Sequence, residues 1–483
     1  MFFNSGVFLQ FFAAFLLLYW LVRRHLPARN LLLVAASYLF YGWWNPWFLG
    51  LLFFSSTFDF CVGLGLARLR GDRRGRWLLG ASIAVNLTIL GFFKYWDFFL
   101  GSLAELLARL SLPFHPGTLG VILPVGISFY TFQSMSYALD VYRGTVTPTR
   151  NPVNFLAFVS FFPQLVAGPI QRAAHLLPQF AQTRVLSLAM IEEGVWLMIW
   201  GMFKKVVVAD NLAPLVDLTF GARSVPAVGV LLGTLAFGFQ IYCDFSGYSD
   251  IARGTARLLG FDLTWNFNLP YVSTSLQEFW RRWHISLSTW LRDYLYISLG
   301  GNRRGSIRTY LNLLVTMLLG GLWHGAAWNF VLWGLWHGGG LAVQRACTPG
   351  LHHRVGEPGE ARATTRPVSA PGPARRLGGW FLTFGFVFVG WMLFRARSGA
   401  HVLALLRGLG DFAVPAWAAS FALNLLVFLV PLVAVEYWQW RRADLLAPLR
   451  LPVPGRALLQ GTLLVGIVLF WERKDAAFIY FQF

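Results

Sequence analysis

Apolar runs of bilayer-crossing length, separated by short arginine-rich stretches, leave this chain few ways to fold. Val7–Val22, Asn30–Trp44, Leu78–Phe93 and Ala227–Tyr242 are examples of a pattern that recurs along all 483 residues. A helix needs about 17–25 apolar residues to cross a membrane, and several runs reach or approach that length. Only 13% of the residues are charged, against about a quarter in soluble domains. The sequence predicts an all-α polytopic membrane protein.

The net charge of +19 comes almost wholly from arginine, which supplies 36 of the 40 basic residues. These arginines sit between apolar runs, which is the positive-inside pattern and not the contiguous basic face of a nucleic-acid binder. Nucleic acid is therefore not an expected partner; the lipid bilayer is. Arg68–Arg76 carries five arginines against one aspartate and is read as cytoplasmic. Counting back two helices puts Arg23–Arg29 on the same side and the N-terminus outside. The first apolar run lacks a basic n-region and an Ala-x-Ala site, so it is expected to stay as a helix. Cys61, Cys243 and Cys347 are scattered and predict neither a disulfide framework nor a metal site.

These signals divide the chain into N-terminal transmembrane helices over 1–110, a core over 111–345, a flexible cytoplasmic loop over 346–376 and C-terminal transmembrane helices with an aromatic tail over 377–483. The 346–376 insert is rich in Pro, Gly, Ala and Arg and lacks apolar periodicity; His352 and His353 fall inside it. Within the core, Leu123-Pro-Val-Gly126 interrupts an apolar segment, which reads either as a kinked helix or as a re-entrant, cavity-lining one. Cys243-Asp-Phe-Ser-Gly-Tyr-Ser-Asp250 follows an apolar run and is either a helix-end cap or a polar group facing a cavity or a partner.

Two histidines stand out. Leu276, Phe279, Trp280, Trp283, Leu287, Trp290 and Leu291 follow helical spacing and predict one interfacial amphipathic helix, with His284 at the edge of its apolar arc. It reads as a membrane-surface anchor or as a desolvated imidazole with a chemical task. Gly320-Gly-Leu-Trp-His324-Gly325 predicts a glycine-flanked turn that allows close approach to His324. Amid Leu, Trp and Gly that imidazole would be kept neutral, which suits a general base as well as a satisfied core histidine. His337 lies thirteen residues further on, about 220° round a continuous helix, and need not share that face. The residues alone do not separate an enzyme from a transporter.

At these residues the sequence resembles the membrane-bound O-acyltransferase family, in the branch that acetylates exopolysaccharides such as alginate. The resemblance rests on Ser37-Tyr-Leu-Phe-Tyr41, Leu123-Pro-Val-Gly-Ile-Ser-Phe129, Asp140-Val-Tyr-Arg143, Val166-Ala-Gly-Pro169 and Asp244-Phe-Ser-Gly-Tyr-Ser-Asp250. It continues through Glu278-Phe-Trp-Arg-Arg-Trp-His284 to Tyr296, Leu299-Gly-Gly-Asn-Arg303 and Leu318-Leu-Gly-Gly-Leu-Trp-His-Gly325. It implies helices around a transmembrane tunnel, with re-entrant and interfacial segments, in a bacterial inner membrane. It also implies acetyl-CoA as cytoplasmic donor, no metal, a polysaccharide as final acceptor and a periplasmic SGNH-type acetyltransferase as partner.

By the same resemblance His324 is the principal catalytic histidine, a base or a transient acyl carrier, and His284 orients the thioester or stabilises negative charge. Trp323, Trp283, Asp244 and Asn329 are expected to line the tunnel. The terminal Phe478-Ile-Tyr-Phe-Gln-Phe483 reads as an interfacial aromatic anchor, or as a tail whose Tyr480 relays the acyl group. The rival functions are export of D-alanine or another acyl group to teichoic acid, cellulose, protein or lipid, and a transporter without acyl chemistry.

Overall fold

The computed structural model of the chain describes residues 1–112, 114–222, 224–348, 372–471 and 478–479. Most of the 346–376 insert, with His352 and His353, and the terminal Tyr480 lie outside the described residues. The regular elements among those described are all helices, and no strand is found among them. Six helices are long and apolar enough to cross a membrane: Phe48–Arg68, Arg73–Arg109, Ala227–Leu258, Pro373–Arg395, Ala418–Arg442 and Val453–Phe470. The shorter Gly6–Val22 is also apolar. Residues such as Leu21, Trp47, Trp77 and Leu382 are exposed on their faces, as expected of surfaces solvated by lipid rather than by water.

The chain forms two compact units, one built from residues 1–213, 239–265 and 426–483 and the other from 214–238 and 266–425. In the first, helix Leu188–Met202 crosses the middle of Ala227–Leu258 on four glycines. A Cβ on Gly201 would lie 2.6 Å from the Gly247 carbonyl oxygen, and one on Gly254 2.6 Å from that of Gly194. The two pairs are seven residues apart on each helix, so the backbones run against each other over two turns, as small residues allow in membranes. Trp196, Trp200 and Phe203 stack along the neighbouring face, at 5.9 and 5.4 Å between ring centroids.

Several boundaries differ from the sequence expectation for identifiable reasons. Asp72 accepts from the Arg74 amide and so starts a helix inside the basic stretch. That helix runs to Arg109 because a π-helical turn over Gly91–Tyr95 carries it past its apolar run. The segment around Leu123–Gly126 is not one kinked helix: residues 114–124 are non-helical and Ile127–Arg143 begins only after Gly126. Gly126 has φ +75°, and a Cβ there would meet the Leu165 carbonyl oxygen at 2.6 Å, so no other residue fits.

The Cys243–Asp250 stretch is not a helix-end cap. It lies inside the 32-residue Ala227–Leu258 helix, with Asp244 and Asp250 buried. Both are paired: Lys205 reaches Asp244 at 2.5 Å and Asp210 at 2.8 Å, and Lys204 reaches Asp250 at 2.6 Å. The two lysines lie in a second π-helical turn, Phe203–Ala209, whose wider winding brings consecutive side chains to one packed face.

Candidate functional site

The second unit is organised by the hairpin of Gly305–His324 and Trp328–Cys347. Glycines set its spacing. A Cβ on Gly321 would lie 2.2 Å from the Phe330 carbonyl oxygen, and one on Gly334 2.5 Å from that of Met317. The helices therefore touch backbone to backbone, and Asn312 ties the first of them to the Gly301 carbonyl at 2.9 Å.

His324 is the last residue of its helix and not part of a turn, which corrects the expectation from Gly320-Gly321. The chain leaves it in extended conformation at Gly325, where a Cβ would collide with the Phe330 ring at 2.0 Å. The Phe330 ring thus packs against the residue that follows the histidine. The His324 ring is 5% exposed and meets Trp323, Trp333 and Phe394 at centroid distances of 5.1, 5.1 and 5.4 Å.

His284 sits in a backbone break that the apolar periodicity conceals. Leu276–Arg282 is capped by Ser275, whose hydroxyl accepts from the Glu278 amide at 3.2 Å. The helix ends at Trp283, His284 takes φ +43° and ψ 55°, and a new helix begins at Ile285. The expected single amphipathic helix is therefore two short ones. A left-handed conformation costs a side-chain-bearing residue about 1–3 kcal/mol and persists only where its surroundings over-determine it.

Asn266 supplies that determination. Its carbonyl accepts from the Ile285 amide at 2.9 Å, while its Oδ1 accepts from the Ser286 amide at 3.2 Å and the Ser286 hydroxyl at 2.9 Å. His284 Nδ1 lies 3.1 Å from the same Oδ1.

These contacts fix a tautomer. A backbone amide can only donate, so the Asn266 atom facing Ser286 is the oxygen, and Nδ1 of His284 must carry the proton to donate to it. Nε2 then keeps its lone pair. Burial, and after it the neighbouring His324, hold the imidazole pKa well below its ordinary value, so the ring is neutral at pH 7. The two histidine rings stand 6.4 Å apart between centroids. That exceeds a direct ring-to-ring hydrogen bond.

Of the residues singled out in the sequence, His284, His324, Trp323, Trp283 and Asn329 all belong to this unit. Trp323 touches both histidines, at 5.7 Å to His284. Trp283 packs on Phe279 and Trp391 at 5.6 and 4.7 Å. Asn329 donates to the Phe394 carbonyl at 3.0 Å, so its amide anchors the phenylalanine that packs against His324. His337, the histidine whose facing was left open, is buried against Trp333 and Trp280 at 4.8 and 5.1 Å. Asn266, Trp333 and Phe394 escaped the sequence reading. They lie on three separate segments, Asn266 before the Pro270 turn, Trp333 in the hairpin and Phe394 in Pro373–Arg395, and no periodicity connects them.

Asp244 belongs to the other unit. There its Oδ2 accepts from the Ile479 amide at 2.7 Å, and Phe478 packs on Tyr248 and Phe245 at 5.1 and 5.9 Å. The carboxylate that binds Lys205 therefore also holds the two residues that precede Tyr480.

Residues 149–355 match the sequence profile of the membrane-bound O-acyltransferase family. A probable alginate O-acetylase of Azotobacter vinelandii is 48% identical over 405 residues, 82% of this chain and 76% of that protein. One from Pseudomonas putida is 46% identical over 424 residues, 87% of this chain and 82% of that protein. A peptidoglycan O-acetyltransferase of Helicobacter pylori is 37% identical over 407 residues, 79% of this chain and 73% of that protein.

Proposed function

Since this chain belongs to the membrane-bound O-acyltransferase family and is a multi-pass membrane O-acyltransferase, we propose that it takes acetyl from cytoplasmic acetyl-CoA and passes it across the bacterial inner membrane for O-acetylation of alginate. The names of the relatives that are 46–48% identical over the aligned residues support the acceptor. In this reading a periplasmic SGNH-type acetyltransferase, which the sequence resemblance implies, completes the delivery to the polymer.

The observation that carries the chemistry is the pair of buried imidazoles 6.4 Å apart, one of them locked by Asn266 with its proton on Nδ1. His324 takes the proton of the accepting hydroxyl as that oxygen bonds to the thioester carbonyl carbon. The carbon–sulfur bond then breaks, and the thiolate leaves with that proton as coenzyme A. His284, its ring held through Nδ1 by Asn266, orients the thioester. Donation to a developing oxyanion, the other role expected of it, needs a proton on Nε2, which burial disfavours. Trp323, Trp283, Trp333 and Phe394 keep bulk water from the thioester. Tyr480 offers its phenol as the first accepting hydroxyl, and the Asp244 bond to the Ile479 amide supports a held tail.

The test is reconstitution of the purified chain in vesicles with radiolabelled acetyl-CoA. Acetyl-dependent release of coenzyme A is expected from the wild type and not from His324→Ala. A wild-type protein that never cleaves the thioester would favour the transporter reading. Peptidoglycan is the second acceptor to assay, because the Helicobacter pylori relative matches over nearly the same length.

A further inference from the structure

One buried carboxyl group takes no part in the chemistry above. Asp59 is fully buried in the Phe48–Arg68 span. It stands nine residues from Arg68, about 14 Å along the helix axis, close to the middle of a hydrocarbon core about 30 Å thick. Among the described residues the two other buried acids have cationic partners: Asp244 has Lys205 and Asp250 has Lys204. Asp59 has neutral ones. Ser82 donates to it at 2.8 Å, and the Asn86 amide donates to both carboxyl oxygens at 3.2 and 3.1 Å.

A third helix, Ile127–Arg143, completes the enclosure. Its Ser134 hydroxyl acts on the same carboxyl group, yet it makes no hydrogen bond of ordinary geometry among the described residues. Tyr137, one turn on, lies within electrostatic reach of Asp59 and is likewise buried. Its ring fills the space beside Gly63, where a Cβ would be 2.7 Å from the phenol oxygen. Tyr137 is the ionisable group facing Asp59. Two more helices pack on this span: Pro152–Ser160 carries no charged residue, and Leu26–Gly42 carries Arg29, Tyr38 and Tyr41, its Arg29 bonded to Asn30, Phe180 and Gln182 and not to Asp59.

An uncompensated carboxylate at this depth is costly, and intramembrane acids survive where something neutralises them. Three hydroxyl groups, a carboxamide and a single acid provide oxygen ligands around one negative charge, with no built-in cation. We propose that Asp59, with Ser82, Asn86 and Ser134, binds a single monovalent positive charge at the membrane midplane, supplied as a proton or as a sodium ion. For a proton, the carboxyl group becomes a neutral acid and donates to one of the hydroxyl oxygens. For sodium, Asn86 turns its carboxamide oxygen inward, joining the carboxylate and the two serine oxygens.

The experiment is thermal unfolding of the full-length protein purified in detergent. One arm replaces choline chloride by sodium chloride at fixed ionic strength and pH; the other raises pH in choline chloride. A sodium site raises the wild-type midpoint by about 2–4 °C and leaves Asp59→Asn unmoved. A proton site leaves the wild type indifferent to sodium but lowers its midpoint with rising pH more steeply than that of Asp59→Asn, which has no charge to expose. Should Asp59→Asn fail to fold, Ser134→Ala keeps the carboxyl group and removes one ligand. It is expected to need about tenfold more sodium for half the effect, or to shift the pH response. Wild type and both variants responding alike to sodium and to pH would overturn the proposal.

Discussion

The Asn266 carboxamide oxygen receives three donors, from the His284 ring and from the Ser286 amide and hydroxyl. Removing it frees His284 to exchange tautomers and relaxes the left-handed backbone beneath it. Asn266→Ala should therefore lower kcat by about 10²-fold, the usual scale of a mispositioned acid–base group, with KM little changed. A raised KM with kcat unchanged would mean that Asn266 serves only binding. The protonation of His284 has a second consequence. Unfolded, the ring takes its proton near pH 6.5; folded, burial and His324 delay uptake to well below that. The resulting stability is complete above about pH 6.5 and is lost as pH falls toward the folded value. Thermal midpoints measured from neutral to acid pH should fall less steeply in His284→Gln than in the wild type.

At the scale of helices, close backbone contact and not apolar area sets the site. Gly321→Ala drives a methyl group into the Phe330 carbonyl at 2.2 Å, so the Trp328–Cys347 helix must move away and carry Trp333 and Phe330 from His324. Overpacking of this kind costs about 1–3 kcal/mol. Gly339→Ala, on the same helix with nothing within 4 Å, is the control and should be neutral in both thermal stability and activity.

The same elements show what a sequence can and cannot disclose. Apolar runs announced the membrane helices, because a span must be apolar wherever lipid surrounds it. The stop at Trp283 was hidden, because Leu287 and Trp290 continue the 3.6-residue stripe across it. What breaks the helix is Asn266, eighteen residues upstream, acting through hydrogen bonds that no periodicity encodes. For a related reason the sequence left Asp244 open between a helix-end cap and a paired polar group. Its charge is cancelled by Lys205 on another helix, so a polar residue that looked terminal could stay in a helix interior.

For the whole molecule, the proposed reaction rests on the imidazole pair of the 266–425 region. If Tyr480 is the accepting phenol, Tyr480→Phe should abolish polymer acetylation while thioester cleavage, measured in vesicles with a soluble hydroxyl acceptor, continues. Full polymer acetylation in that variant would reduce the tail to an anchor. The decisive measurement concerns His324. The acetyl content of polymer made by cells carrying His324→Ala should fall to the level of a deletion strain, with the protein still present in the membrane in wild-type amount. Normal acetylation at normal abundance would contradict the assignment of this buried histidine as the base.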